Sequence, residues 1–339
     1  MINYILKKPK PEVVLHIGMN KTGTTALQSY LMRSSDLLAR QGVLYPRTGL
    51  IGAAHYGISA TLGFCNSSAP KEWITSLKKI RRGLESEITS HTKQVIFSSE
   101  DFLLNKPFNK LKEFLEGYPV KIVVYLRRHD YWWLSGYAQA VKMKYLPPWQ
   151  RGPYGFINFQ RKKNVRYGDY RHLVDRWAEA FGHENIIVRP YEQEQNLPSL
   201  ACDFLTAVGH KALLKHLPVM EHRDNVSLPA RTIQLLDIFQ RVEADVTTRM
   251  ALLEMAKQIA PGNADTDVID MVKPEFRAKL IDENQESYRY IAQKYLGRVD
   301  GQLFYEPLPV ADSGWRLPPW PTHEEVAQCV VNAMATQRY

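Results

Sequence analysis

Residues 13–31 read as a buried strand, a tight turn and the start of a helix, and they constrain this chain more than any other stretch. Val13-Val14-Leu15-His16-Ile17 is apolar apart from one histidine and runs into Gly18. After Thr25, apolar positions recur at Leu27, Tyr30/Leu31 and Leu37/Leu38, which is helical spacing. The intervening Gly18-Met19-Asn20-Lys21-Thr22-Gly23-Thr24-Thr25 therefore falls at a helix N-terminus. Backbone N–H groups of Gly23, Thr24 and Thr25 have no helical acceptor there, the helix dipole is positive, and Lys21 adds a full charge beside threonine hydroxyls. Such a turn is a cradle for an anion. A plain strand-to-helix turn with incidental glycine and threonine is the alternative that the stretch leaves open.

The nucleotide-binding P-loop places Gly-Lys-[Ser/Thr] in that order, whereas here Lys21 precedes Thr22-Gly23-Thr24-Thr25. Three more apolar runs follow, near 94–99, 121–126 and 186–189, and each ends in polar residues: Ser98-Ser99-Glu100-Asp101, Arg127-Arg128-His129-Asp130 and Tyr191-Glu192. Continuous apolar runs alternating with helical segments predict a three-layer α/β fold, P-loop-like, with a mainly parallel central sheet flanked by helices. In such sheets ligands collect at the carboxyl ends of strands, where these polar residues fall.

The order of Lys21 and Gly23, and the string His16-Ile17-Gly18 to Lys21-Thr22-Gly23-Thr24-Thr25-Ala26-Leu27-Gln28, resemble the sulfotransferases that use 3'-phosphoadenosine 5'-phosphosulfate (PAPS), and in particular their bacterial branch. The resemblance covers roughly residues 12–210. It implies that Lys21, Thr22, Gly23, Thr24 and Thr25 hold the 5'-phosphosulfate. It implies that Arg127 and, eight positions on, Ser135 hold the 3'-phosphate, and that Tyr191 lies against the adenine. Guanidinium suits a phosphate because its fork makes paired charge-assisted bonds. Arg127 paired with a carboxylate at a strand end, and Tyr191 capping a core strand, are the plainer readings. Glu100 is the candidate base for an acceptor hydroxyl, with a helix-cap role as the alternative. His55 is the rival base, or a hydrogen-bonded structural histidine. A polar loop over 221–227 offers Arg223, Asn225 and Ser227, either to close over the donor or to cap the next helix. The family's aromatic residue after the phosphosulfate loop is Ala26 here. The implied reaction is in-line transfer of a sulfuryl group from PAPS, leaving PAP, with no metal, to an acceptor expected on a carbohydrate or glycolipid. A kinase with a variant P-loop and a non-catalytic binder of an acidic polymer are the other classes.

With 45% hydrophobic and 23% charged residues in 339, the chain can bury a large core. A tail over 1–11, an α/β core over 12–225 and a mostly helical extension over 226–339 packed on that core are expected. Within the core, 136–170 carries Pro147-Pro148 and Gly152-Pro153-Tyr154-Gly155 and reads as a long loop or lid. Its cations, with Tyr145, Trp149, Tyr154, Phe156 and Phe159, could hold a sugar chain or form a solvated basic face. Helices are expected over 131–141, 170–181, 230–241, 249–259 and 274–295, and after Thr322, whose partner Glu325 completes a capping box. The net charge of +9 suits an acidic partner such as PAPS, and no nucleic acid is expected. Cys65, Cys202 and Cys329 form no disulfide or zinc pattern, and no apolar run approaches the ~18 residues of a membrane span. A cytoplasmic bacterial enzyme, or an excised catalytic domain, is the expectation.

Overall fold

The computed structural model describes residues 9–65, 69–143, 146–166, 168–218, 228–259 and 267–336. Five strands, β1 (Glu12–His16), β2 (Val43–Leu44), β3 (Gln94–Ser98), β4 (Val120–Leu126) and β5 (Ile186–Pro190), form one sheet in the order β2-β3-β1-β4-β5. Every pairing is parallel. In chain order the main helices are α1 (Thr24–Arg33), α2 (Ser35–Arg40), α3 (Tyr56–Thr61), α4 (Leu77–Glu87), α5 (Asn109–Phe114), α6 (His129–Met143) and α7 (Pro153–Lys163). They are followed by α8 (Tyr170–Phe181), α9 (Leu200–Ala207), α10 (Ala230–Phe239), α11 (Val246–Ile259), α12 (Pro274–Asp282), α13 (Gln285–Leu296) and α14 (His323–Thr336). This is the three-layer, P-loop-like α/β arrangement with a helical C-terminal third. No helix among the described residues is long and apolar enough to cross a membrane.

The strands lie where continuous apolar runs must lie, because both faces of a parallel sheet are covered. On one face Val14, Ile96, Val123 and Tyr125 pack with Leu27 and Leu31 of α1 and Phe204 of α9. The alternate residues face the other way, and Phe97 meets Phe114 of α5 at 5.7 Å between ring centres. Trp177 of α8, expected as core, is fully buried beside Phe108 and Phe181. The chain leaves the central β1 toward β2, returns to β3 and then crosses to β4 on the opposite side. The order therefore reverses at the carboxyl end of β1, which is where an open α/β sheet forms its crevice.

Contacts divide the chain otherwise than into a core over 12–225 and a terminal extension. One unit comprises Met1–Arg127, Tyr170–Asn225 and Arg289–Phe304, and holds the sheet; the other comprises Arg128–Asp169, Val226–Tyr288 and Tyr305–Tyr339. The reason is polar as much as apolar. Asp130, fully buried at the start of α6, receives Arg128 at 2.9 and 3.1 Å and Arg277 of α12 at 3.0 Å. Asp237 of α10, also fully buried, accepts bonds from the Tyr137 hydroxyl and the Gly152 N–H, both at 2.7 Å, and from Gln240 and Arg241. These bonds tie α6 and the start of α7 to the C-terminal helices.

Segment 136–170 is accordingly not a long loop. Pro153 sits in the first turn of α7, where its missing N–H costs nothing, after Gly152 at φ +89°. Trp149 and Phe156 are buried against each other and against Trp133 and Tyr137, so they serve packing and offer no face to a sugar. Tyr154 meets Phe276 with ring centres 4.7 Å apart and planes tilted by 60°, and its hydroxyl accepts the Lys273 N–H. Tyr145 lies outside the described residues. The helix expected over 274–295 breaks at Glu283 and Asn284 into α12 and α13. The capping box of α14 is present, with Glu325 N–H on Thr322 Oγ1 at 3.3 Å and Thr322 N–H on Glu325 Oε2 at 2.7 Å.

Removing the fully buried carboxylate of Asp237 leaves the half-buried Arg241 guanidinium and several donors without their acceptor at once. Asp237→Ala is expected to cost about 3–5 kcal/mol, and Tyr137→Phe only about 1 kcal/mol, in urea unfolding followed by tryptophan fluorescence.

Candidate active site

The turn after β1 is built from three left-handed backbone positions, Gly18 at φ +75°, Lys21 at φ +68° and Gly23 at φ +70°. Two of them demand glycine for space as well. A Cβ on Gly18 would come within 2.9 Å of Glu100 Cβ, and one on Gly23 within 2.7 Å of Leu200 and 3.2 Å of the Tyr191 ring. Thr22 is buried and turned inward, its hydroxyl donating to the Met19 carbonyl at 2.5 Å, so it shapes the loop from within. Thr24 is also buried, whereas Thr25 is exposed. Gly23 caps α1 with no side-chain bond, and no acidic residue stands in the first turn. The N-terminus of α1 thus keeps its amides and its positive dipole end for a negative group, with Lys21 half-buried in the turn before it.

Arg127, the residue that follows β4, reaches this turn. Its Nη1 donates to the Lys21 carbonyl at 2.8 Å, and its guanidinium carbon lies 5.4 Å from the centre of the Tyr191 ring. Its own carbonyl accepts the Tyr170 hydroxyl at 2.5 Å. The loop lysine, Arg127 and Tyr191 are therefore brought together at the ends of β1, β4 and β5. Ser135 is carried in the second turn of α6, half-buried, in the other unit. Arg223, Asn225 and Ser227 lie outside the described residues.

Glu100 stands at the end of β3, directly against Gly18, and opens a 3-10 turn (Glu100–Leu103) capped by Ser99. Both of its oxygens are held: Tyr56 donates to Oε1 at 2.6 Å and Gln28 of α1 to Oε2 at 3.0 Å. Gln28 also donates to Ser98 Oγ at 3.2 Å, which leaves the Ser98 proton for His16 Nδ1 at 2.7 Å. Burial pushes the His16 imidazole down to about 3, so the ring is neutral and can accept that proton. The chain from His16 through Ser98 and Gln28 fixes the carboxylate's orientation. The sequence pattern assigns no role to Tyr56, and it includes Gln28 only as the end of the motif string; the signal for Gln28 is its position one turn into α1, on the side that faces β3.

His55 is fully buried, and both ring nitrogens are engaged, Nδ1 by the Ser98 N–H at 3.1 Å and Nε2 with the Pro46 carbonyl at 2.9 Å. Desolvation holds it down to about 4, against smaller opposing contributions from those backbone bonds. It bolts the 46–55 segment to the end of β3 and thereby sets Tyr56 beside Glu100. Asp101 is pushed up to about 6, first by burial and then by the neighbouring charge of Glu100.

A carboxyl raised on folding stabilises the fold below its ordinary value of 3.8, and loses that contribution as pH climbs through about 6. Asp101→Asn should therefore melt higher than wild type at pH 7 and together with it at pH 3.5; thermal unfolding followed by circular dichroism at the two pH values measures this.

No family model matches the chain. Over 120 residues it is 39% identical to an uncharacterized protein of Archaeoglobus fulgidus, a stretch that covers 34% of this chain and 30% of that relative. The chain thus spans under a third of the length of the relative it matches. Among solved structures it is similar to the crystal structure of a sulfotransferase from Alicyclobacillus acidocaldarius, with a TM-score of 0.43 and 16% identity, over 72% of this chain and 96% of that one.

Proposed function

We propose that this chain is a sulfotransferase that takes a sulfuryl group from PAPS and passes it to an acceptor hydroxyl. The observation that carries the reading is the convergence on one turn of a helix N-terminus without acidic residues, a lysine, an arginine and an oriented carboxylate, in an order along the chain that resembles the PAPS-dependent enzymes. The residues fit such a donor. The turn after β1 offers amides and Lys21 to a phosphosulfate. Arg127, bound to the Lys21 carbonyl at the edge of the same turn, offers its positive charge to a second phosphate, and Tyr191 offers a ring to a purine.

In this reading Glu100 accepts the proton of the attacking hydroxyl. Its two held oxygens keep one orientation through the reaction, so no reorganisation is spent at the moment of transfer. Lys21 and the amides of Gly23, Thr24 and Thr25 stabilise the charge that develops on the leaving phosphate, which is usually a large contribution to catalysis. His55, with both nitrogens committed, acts only by placing Tyr56.

The test is binding of PAP against 5'-AMP, without metal, read as a melting shift. At about 100 times its Kd, PAP should stabilise the fold by about 2.7 kcal/mol and AMP far less. Arg127→Ala should remove the difference. Equal shifts by the two nucleotides, or a larger shift by ATP with Mg²⁺ than by PAP, would overturn the assignment; an Arg127→Ala variant that weakens both alike would reduce the arginine to a brace for the loop.

Glu100→Gln keeps the shape and the amide can still meet Gln28 and Tyr56. It should leave the PAP shift unchanged and lower turnover about 10²–10⁴-fold. His55→Gln, by contrast, should lower stability more than turnover at saturating substrate.

A further inference from the structure

Tyr56, which clamps Glu100, is itself stacked on Trp73 with ring centres 5.6 Å apart and planes 13° from parallel. Both rings are half-buried. Other stacked rings of the same unit, such as Phe64 on Trp177, are fully buried and explained by packing. This pair instead leaves part of its aromatic surface to solvent, one ring away from the carboxylate. The segment that carries Trp73 is anchored. It is a 3-10 turn (Lys71–Trp73) after Pro70, and just beyond it the Thr75 N–H donates to Thr61 Oγ1 of α3, the helix that begins with Tyr56.

We infer that the Tyr56–Trp73 pair is the platform on which the acceptor is held, and that the acceptor is a neutral sugar ring. The inference rests on the sulfotransferase reading for the name of the reaction, but the platform itself is a separate binding site. A half-open indole beside a polar anchor suits the flat apolar face of a pyranose, whose edge hydroxyls must meet hydrogen-bonding groups. The group at the platform's inner end is the Glu100 carboxylate, which can receive one such hydroxyl. The electrostatics select against anionic rings. Asp101 follows Glu100 at the strand end, bonded to Ser59 of α3, and it is pushed up to about 6 in part by the charge of its neighbour. Two carboxyl groups at this end of the platform repel a uronate or a phenolate and tolerate an uncharged ring. Lys71 and Glu72, both exposed beside Trp73, cancel in formal charge and add no preference of their own.

The test is calorimetric titration of the full chain, with PAP absent and then present, against three probes: a neutral gluco-oligosaccharide, an oligouronate of the same length and 2-naphthol. Saturable binding of the neutral sugar is expected, with the oligouronate weaker. Trp73→Ala should weaken the sugar about tenfold, the scale of one aromatic contact, while Trp73→Phe keeps most of it. PAP binding should be the same in all three proteins, which also shows that the variants are folded. Binding of 2-naphthol in place of the sugar, a Trp73→Ala variant that binds the sugar as wild type does, or no sugar binding at all, would overturn the platform. Failure of the donor reading shows separately, as loss of the preference for PAP over AMP in a protein that still binds sugar through Trp73.

Discussion

The close approach of Gly18 to Glu100 is the constraint from which the site follows. β1 and β3 are neighbours in the sheet, so the segments that leave their carboxyl ends must pass each other at once. They do so with no room for a side chain at position 18, since a Cβ there would lie 2.9 Å from that of Glu100. Because the two segments touch, the turn after β1 and the carboxylate share one wall. Gln28, in the helix that the turn begins, can then reach across to hold Glu100 from the side. Overlap of this kind costs more than an exposed turn would, since the backbone must enter the left-handed region three times within six residues of chain.

What the sequence made legible is the part governed by local pattern. The central strands are continuous apolar runs, the turn after β1 has its glycines and lysine in a short window, and the Thr322/Glu325 box is a matter of spacing alone. What it hid depends on partners distant in the chain. β2 is two residues long, too short to show any periodicity, and exists because Val43 and Leu44 complete the edge beside β3. Pro153 and the flanking glycines of 152 and 155 resemble loop punctuation, yet Phe156 and Ile157 behind them are core residues, and burial decides in favour of helix. His55 has the right chemistry for a base, and only the burial of both its nitrogens assigns it to structure. Tyr56 beside it carried no motif at all.

Adjacent arginines after β4 illustrate the same limit. Arg127 is half-buried and turned to the Lys21 carbonyl and the Tyr191 ring. Arg128 is almost wholly buried against Asp130 and the carbonyls of Glu306 and Pro307. In the molecule one reaches the turn after β1 and the other is consumed in holding helices together. The difference follows from Asp130, whose burial requires a guanidinium next to it.

Lys21 carries a cost that its neighbours do not. A residue with a Cβ in the left-handed region pays about 1 kcal/mol that glycine would not, and Lys21 sits there at φ +68° between two glycines that already use the same conformation. A chain shaped for folding alone would put a third glycine at 21. The turn is therefore a place where thermal stability and a positive charge are set against each other at one residue, and where selection for heat resistance in the laboratory would erode that charge first.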